Sequence, residues 1–194
     1  MGRPAKFSDI DVLDRAVDHF WRDGCESVSI RDLEVVLELK APSIYRRFES
    51  KDHLIASCID RYSERVIGGR IRHFLSEVED PLQGLHAFFS SALMPHVDEL
   101  KLRGCLLTNT ANAAAGQTPE VRLAVAAGLG TIEASFRSAL QRALDQGSLS
   151  PETDVVATAK ALLMSFQGLL VLVRAGAPGL ESYVDAAFTP LSAL

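Results

Sequence analysis

Apolar residues near the start of the chain recur every three or four positions, which is the period of a helix buried along one face. Val12, Ala16, Val17 and Phe20 form the first of these stripes, and Gly24 follows it. Because glycine is common just after the last turn of a helix, we expect the helix to end there. The pattern predicts a first helix whose apolar side packs into a core, which Trp21 is expected to close.

Two further helices are predicted close together. Ser29 is a favourable N-cap residue, and Asp32 stands three positions later, where its side chain can complete the cap. A short helix then runs to about Leu37. Pro42 cannot lie inside a helix but is favourable in its first turn, so a new helix is expected from Pro42 to Phe48. The sequence therefore predicts two short helices separated by a tight turn.

The third predicted helix divides into an apolar face and a polar one. Ile44 and Phe48 are four positions apart and are expected to hold the helix to the core. Hydroxyl, phenol and guanidinium groups suit contacts with DNA bases and phosphates. The side chains of this kind on the polar face are Ser43, Tyr45, Arg46 and Arg47. This arrangement is typical of a helix-turn-helix that reads a DNA groove.

The overall charge does not favour a nucleic-acid partner. The formal net charge is −5, and residues 1–66 carry 11 basic and 13 acidic side chains. Residues 40–51, however, carry four basic side chains and one acidic one. Because binding depends on the face that carries the charge, this local excess supports DNA binding with a strong salt dependence. A basic arm with Arg3 and Lys6 is either a minor-groove contact or a disordered terminus.

The rest of the chain is predicted to be helical, because apolar and polar residues do not alternate with the period of a strand. Ser50 is expected to cap a fourth, linking helix that Lys51 opens, and the Gly68-Gly69 pair to break or bend it. The other predicted helices span 70–78, 81–94, 105–114, 119–146, 154–175 and 180–187. The prediction is an all-α protein with a helix-turn-helix domain over 1–66 and a second helical domain over 67–194.

Two segments carry a specific resemblance to a known family. VLDRAVDHFWRDGCESVSIRDL and APSIYRRFESKDHL, within residues 8–54, resemble the DNA-binding domain of TetR (tetracycline-repressor-like) transcriptional regulators. The resemblance implies a homodimer, paired through the last two long helices, that binds a palindromic operator in double-stranded DNA. It also implies a small-molecule effector bound by the second domain, which is then a ligand-binding and dimerisation domain. The main hypothesis is a repressor that its effector releases from the operator.

The expected DNA contacts combine the polar face with what the resemblance implies. Arg31, at the start of the second helix, is implied as a base or phosphate contact, and Lys51 is placed to clamp a phosphate. Glu34 and Glu38 depart from the family pattern, which usually has Ala and Gly there, and their carboxylates are expected near DNA phosphates, where they would weaken binding. Glu38 in a left-handed turn would cost about 1 kcal/mol, or the turn must differ. The full set of expected contacts is Arg31, Lys40, Ala41, Pro42, Ser43, Tyr45, Arg46, Arg47 and Lys51.

An effector pocket is expected among apolar and polar residues of the second domain. The resemblance implies a pocket in this region but identifies no specific residue. Any single candidate could equally be an ordinary core residue. The candidates are Phe88, Phe89, Leu93, Cys105, Leu106, Asn109, Phe136, Met164 and Gln167. Cys105 follows the basic Lys101 and Arg103, so it is either a thiol sensor or a small buried core residue.

The sequence excludes several other classes of protein. The histidines have no partners at catalytic spacing, and no Walker loop, Rossmann fingerprint or HExxH motif occurs, so we expect neither an enzyme nor a cofactor. Three widely spaced cysteines without ligand spacing predict no metal site and a reducing cytoplasm. Residues 161–173 are too short an apolar run to span a membrane, and MGRPAKF is not followed by the apolar segment of a signal peptide. The alternative function is a helical small-molecule-binding or interaction protein that has lost DNA binding.

Overall fold

The computed structural model describes residues 8–94, 104–113 and 118–191, and these residues are helical almost throughout. No strand occurs within these ranges, and the predicted all-α class is confirmed. The basic arm predicted at residues 2–6 lies outside them. The α-helices are α1 Asp9–Asp23, α2 Ile30–Leu37, α3 Ala41–Phe48, α4 Lys51–Tyr62, α5 Gly68–Ile71, α6 Pro81–Ser90, α7 Leu106–Asn112, α8 Pro119–Asp145, α9 Val155–Arg174 and α10 Leu180–Phe188.

Reciprocal caps start the first two helices, as the sequence predicts. The backbone N–H of Asp32 donates to the hydroxyl of Ser29 at 3.3 Å, and the backbone N–H of Ser29 donates to the Asp32 carboxylate at 2.8 Å. Ser8 and Asp11 repeat this arrangement at the start of α1. Each pair satisfies N–H groups that have no partner inside the helix.

Helices α1, α2 and α3 pack around a small apolar core that α4 closes. Val12, Val17, Phe20 and Leu33 are fully or almost fully buried there. We call the four helices together the head. Such complete burial in a small unit shows that each helix depends on its neighbours for stability, since short helices are marginal alone.

The helical path does not break after α4, so the break, one of the two outcomes predicted at Gly68-Gly69, is wrong. Gly68 has helical dihedral angles, φ −60° and ψ −38°. Wider π-helical turns over Ser63–Ile67 and Arg72–Ser76 lie on either side of α5. The helix changes its pitch here and continues, so residues 51–76 form one helical segment, which we call the rod. Its first part, α4, also belongs to the head.

The remaining helices, which we call the body, surround a cluster of aromatic rings. Phe88 packs edge-on against Phe136 with 5.3 Å between centroids, and Phe89 lies 5.0 Å from both Phe166 and Phe188. These rings come from α6, α8, α9 and α10. Offset and edge-on aromatic pairs add to the stability that burial alone provides.

Helix α9 has an unusual composition for the surface of a folded domain. By length and composition alone it could cross a membrane, with a mean hydropathy of 1.8 in its most apolar window, although residues 161–173 were expected to be too short. Only 33% of that window is buried. In the structure, α9 packs along α8 and α10, and one apolar side remains uncovered.

Candidate nucleic-acid interface

A strained turn joins α2 to α3. Glu38 ends α2 in the left-handed conformation, with φ 52° and ψ 35°. The turn therefore keeps the geometry that usually calls for glycine, and the cost of about 1 kcal/mol expected for Glu38 applies. The Glu38 carboxylate lies 3.3 Å from the Arg15 guanidinium of α1, an exposed ion pair of small energetic value.

Glu34 caps the start of α3. Its carboxylate accepts a hydrogen bond of 2.8 Å from the backbone N–H of Ala41, the first residue of that helix. Lys40, the N-cap residue, makes no side-chain capping bond, so Glu34 replaces the usual cap from one helix away. An anion at a helix N-terminus is also favoured by the helix dipole. The negative charge expected to weaken DNA binding instead orients the helix that is expected to bind DNA.

The buried Ile44 and the exposed Tyr45 and Arg46 of α3 are as the sequence predicts, whereas Ser43 and Arg47, also predicted on the polar face, are half-buried. Ile44 is completely buried, and Phe48 is half-buried against the core. Tyr45 is 44% exposed on the outer side. The helix starts at Ala41, one residue before the predicted start at Pro42. Of the other expected contacts, Arg31, Lys40, Pro42 and Arg46 are exposed, whereas Ala41, Ser43, Arg47 and Lys51 are half-buried.

Arg47 differs from its neighbour Arg46 because it has an acidic partner. Its Nη1 lies 3.0 Å from Oδ1 of Asp9, at the start of α1. The ion pair ties the last turn of α3 to α1 and occupies one side of the guanidinium. Arg46 is the more exposed cation of the two.

The first turn of α4 supplies the other expected contact. The Ser50 hydroxyl accepts a hydrogen bond of 3.0 Å from the backbone N–H of His53. Lys51 follows the cap directly, next to the helix N-terminus. A cation beside free N–H groups forms a favourable position for a phosphate.

Ion pairs bind α1 to the rod that leads into the body. Arg61 donates to both oxygens of Asp14, with Nε at 2.8 Å and Nη2 at 3.0 Å. Arg65 bridges Asp14 and Asp18 at 3.1 and 2.8 Å. The hydrogen bonds from Arg61 hold the pKa of Asp14 below its usual value, so the carboxylate stays charged and paired.

Trp21, near the end of α1, reaches the body directly. Its indole N–H donates to the carbonyl of Gly104 at 2.9 Å, and its ring meets Tyr62 edge-on at 5.1 Å. The sequence predicts Trp21 to close the core of the head. The structure gives the residue a second contact, because it also forms part of the wall of a cavity in the body.

This cavity of about 220 Å³ lies where the rod, α6, α8 and α9 meet. Its walls are mostly apolar, with Phe88, Ile132 and Phe166 among them. The half-buried guanidinium of Arg70 and the buried phenol of Tyr62 are notable polar groups of its wall. An apolar cavity with a few convergent polar groups is the usual form of a small-molecule site.

Two of the nine expected pocket residues, Phe88 and Cys105, line this cavity. Phe89 and Phe136 belong to the aromatic core, and Leu106 is buried. Asn109 lines a shallower depression with Cys105, and Leu93 lines another beside α10. Gln167 accepts a 2.6 Å hydrogen bond from Thr108, and Met164 is 70% exposed on α9, facing away from the core.

Two family models cover most of the chain. The model for bacterial regulatory proteins of the tetR family matches residues 12–58, and the model for the tetracyclin repressor-like C-terminal domain matches residues 81–183. The chain belongs to the TetR family. It is therefore a DNA-binding transcriptional regulator, and its family is not one of enzymes.

Similar proteins match this TetR-family chain along almost its whole length. The HTH-type transcriptional repressor ComR of Escherichia coli K12 is 26% identical over 190 residues, which cover 98% of this chain and 90% of ComR. The HTH-type transcriptional regulator YezE of Bacillus subtilis 168 is 28% identical, covering 98% of this chain and all of YezE. A cysteine mutant of the TetR-family regulator CifR, solved with 26-bp operator DNA, is 29% identical with a TM-score of 0.79, covering 98% of this chain and 99% of that one.

Sequence reasoning missed three residues that shape these sites in this TetR-family protein. Glu34 caps α3 across the turn, Asp9 pairs with Arg47, and Arg70 lies in the cavity wall. Long-range contacts of this kind leave no spacing signal in the chain. The only hint was that Glu34 departs from the family pattern.

The cap at α3 gives a testable prediction. Glu34→Ala removes the side-chain hydrogen bond to the N-terminus of α3, so we expect a loss of about 1 kcal/mol in the free energy of unfolding. It should also weaken DNA binding, although it removes a negative charge near the interface. Chemical denaturation and a DNA mobility-shift assay measure the two effects.

Glu34→Gln is the matched control, because its amide oxygen can still accept from Ala41 while the charge is lost. It should retain most of the stability and bind DNA at least as well as the parent protein. Tighter DNA binding by Glu34→Ala than by Glu34→Gln would contradict the capping role.

Proposed function

We propose that this TetR-family regulator is a repressor that binds a palindromic operator through α3. The observation that carries the proposal is the presentation of that helix. Ile44 is buried in the core while Tyr45, Arg46 and Pro42 face outward. ComR is described as a repressor, and CifR was solved on operator DNA, which supports the same role here. The proposed contacts are Arg31, Lys40, Ala41, Pro42, Ser43, Tyr45, Arg46, Arg47 and Lys51.

The proposed contacts fall into two groups by their chemistry. Tyr45 and Ser43 carry groups that meet base edges, so they contribute to sequence preference. Lys51 and Lys40 stand at the starts of helices and meet phosphates, which contributes affinity for any sequence. Arg46 is free to reach either target, while Arg47 would have to exchange its contact with Asp9 for a phosphate.

A homodimer is proposed through the uncovered sides of α8 and α9. Small and apolar residues on these sides recur at intervals of three and four and are all exposed. Met164 is 70% exposed on α9 and Leu123 is 71% exposed on α8. Two copies of this surface would form a four-helix interface and remove the apolar side of α9 from water. The exposed positions are Leu123, Ala127, Gly130 and Ala134 on α8, and Ala157, Ala161, Met164, Gly168 and Val171 on α9.

Two-fold symmetry supports operator binding in a direct way. The symmetry axis of such a dimer relates two α3 helices, which then read two equal half-sites. The spacing of successive major grooves, about 34–36 Å, fixes the separation that these helices must reach.

An effector in the cavity is proposed to release the operator. The cavity wall includes Trp21 of the head and Tyr62 of the rod. A ligand that requires a different position of these two side chains would shift α1 and, through the ion pairs of Asp14, the whole head. Its effect equals the difference between its affinities for the two positions of the head.

The alternative function, a small-molecule-binding or interaction protein that has lost DNA binding, is less well supported. It was motivated by Glu34 and Glu38, whose charges were expected to oppose DNA phosphates. Both carboxylates have partners inside the head, with Ala41 and Arg15. A mobility-shift assay on the DNA upstream of the protein's own gene, at two salt concentrations, separates the two functions. No shifted complex at the lower salt concentration would favour the alternative.

Substitutions on α3 and α4 give the second prediction. Tyr45→Ala should weaken operator binding by about tenfold and reduce the preference over unrelated DNA, because the phenol contacts bases. Lys51→Ala should weaken binding to both DNAs alike and reduce the salt slope by about one. Fluorescence anisotropy of labelled DNA at several salt concentrations measures both.

Tyr183→Ala is the control, because Tyr183 is 51% exposed on α10, far along the chain from the head. It should leave DNA binding unchanged. Wild-type affinity and preference in Tyr45→Ala would show that α3 does not read bases as proposed.

The proposed dimer gives the third prediction. Met164→Arg places a charge in the middle of the uncovered side of α9. Burying this unpaired charge between two subunits would be costly, so the dimer should dissociate. Sedimentation equilibrium should find a monomer with an unchanged helical circular-dichroism spectrum and weak operator binding. Tyr183→Arg adds the same charge elsewhere on the surface and should remain dimeric. A dimer of unchanged stability in Met164→Arg would rule out this interface.

A further inference from the structure

Arg70 is half-buried in the cavity wall and has no acidic partner among residues 8–94, 104–113 and 118–191. No carboxylate of the residues described lies within 4.0 Å of its guanidinium. Its recorded hydrogen bonds come from Nη2 alone, to the carbonyl of Phe88 at 2.9 Å and to the hydroxyl of Ser91 at 2.7 Å. Its Nε is buried and has no partner among the described atoms. Within the part of the chain that the structure describes, the positive charge of Arg70 is therefore not paired with a carboxylate.

The surroundings of Arg70 do not explain this burial by packing alone. The guanidinium lies 4.6 Å from the centroid of the Phe88 ring and 5.4 Å from that of Phe166. These rings give weak cation–π attraction, which is smaller than the cost of removing a charge from water. Burial also lowers the pKa of Arg70, but an arginine stays protonated at neutral pH.

A second polar group lines the same cavity. The Tyr62 hydroxyl donates to the Cys105 thiol at 3.6 Å, a long and weak bond to sulfur. Burial raises the pKa of Tyr62 well above its ordinary value, so the phenol remains a neutral donor. Its weak bond to sulfur can be exchanged for a stronger one to an oxygen anion.

We infer that the cavity takes a small amphipathic carboxylate, with its anionic oxygens bound by Arg70 and its apolar body against Phe88, Ile132 and Phe166. An arginine presents paired N–H groups that match the two oxygens of a carboxylate. Tyr62, on the same rod as Arg70, also lines the cavity and supplies a further donor. This inference names the chemical class of the effector and so rests on the proposed function.

The cavity size limits the ligand. An apolar cavity of about 150 Å³ can hold a benzene molecule. The 220 Å³ present here allows one six-membered ring, or a chain of similar size, together with a carboxylate.

The protein contains a built-in reporter for this site, because its single tryptophan, Trp21, lines the cavity. The experiment titrates the full-length protein at pH 7.5, without DNA, with cyclohexanecarboxylate and with cyclohexanecarboxamide. The two probes have nearly the same shape and do not absorb where tryptophan does. We expect saturable changes in Trp21 emission and at least about tenfold tighter binding of the carboxylate. Equal binding, tighter binding of the amide or no saturable change with either probe would overturn the inference.

Two variants test whether Arg70 causes the preference for the carboxylate over the carboxamide. Arg70→Met keeps an apolar chain of similar length and should reduce the ratio of the two affinities to about one. Arg72→Met is the matched control, because Arg72 is exposed two positions along the rod, and it should keep the wild-type ratio. A retained preference in Arg70→Met would overturn the inference. Should Arg70→Met not fold, the comparison of the two probes on the wild-type protein still decides.

The carboxylate site and the proposed effector role can be tested separately. If the carboxylate binds with the expected preference but leaves the operator complex intact in a mobility-shift assay, the anion site stands and the effector role fails. If the protein binds no operator at all, the titration without DNA still tests the site.

Discussion

The packing of α1 against α4 is the contact on which the rest of the structure depends. Helix α1 contributes buried residues to the core of the head, and its outer carboxylates hold the rod through Arg61 and Arg65. Near its end, Trp21 bonds to the body at Gly104. One helix therefore touches the DNA-reading unit, the rod and the cavity wall. In our account, a shift of α1 therefore changes contacts in the head, along the rod and in the cavity wall.

The interface at α3 shows how local strain and a distant cap combine. Glu38 occupies a left-handed position that glycine would take at lower cost, while Glu34 offsets part of that cost by bonding to the start of α3. Both acidic residues belong to the part of the chain, residues 1–66, whose overall charge does not favour DNA binding. Their partners within the head explain how a protein of net charge −5 can still present a basic, aromatic face.

Much of this architecture could be predicted from the sequence because its signals are local. Capping pairs such as Ser29 and Asp32, the proline in the first turn of α3 and the period of apolar residues all act within a few positions. The cavity could not be predicted in the same way. Arg70 meets Phe88 and Ser91 only after the rod and α6 have packed, and Met164 shares its helical period with core residues although it faces outward. The break expected as one outcome at Gly68-Gly69 is absent, because both glycines lie in α5 and Gly68 has helical dihedral angles.

The central claim is that the head and the cavity move together through α1. It is tested most directly by recording Trp21 emission and the anisotropy of labelled operator DNA in one titration of the wild-type protein. Our account predicts that the emission changes with the same midpoint as the anisotropy, because operator binding fixes α1 and hence the contact with Gly104. Unrelated DNA at equal concentration should leave the emission unchanged. A saturated operator complex with no change in Trp21 emission would contradict the account.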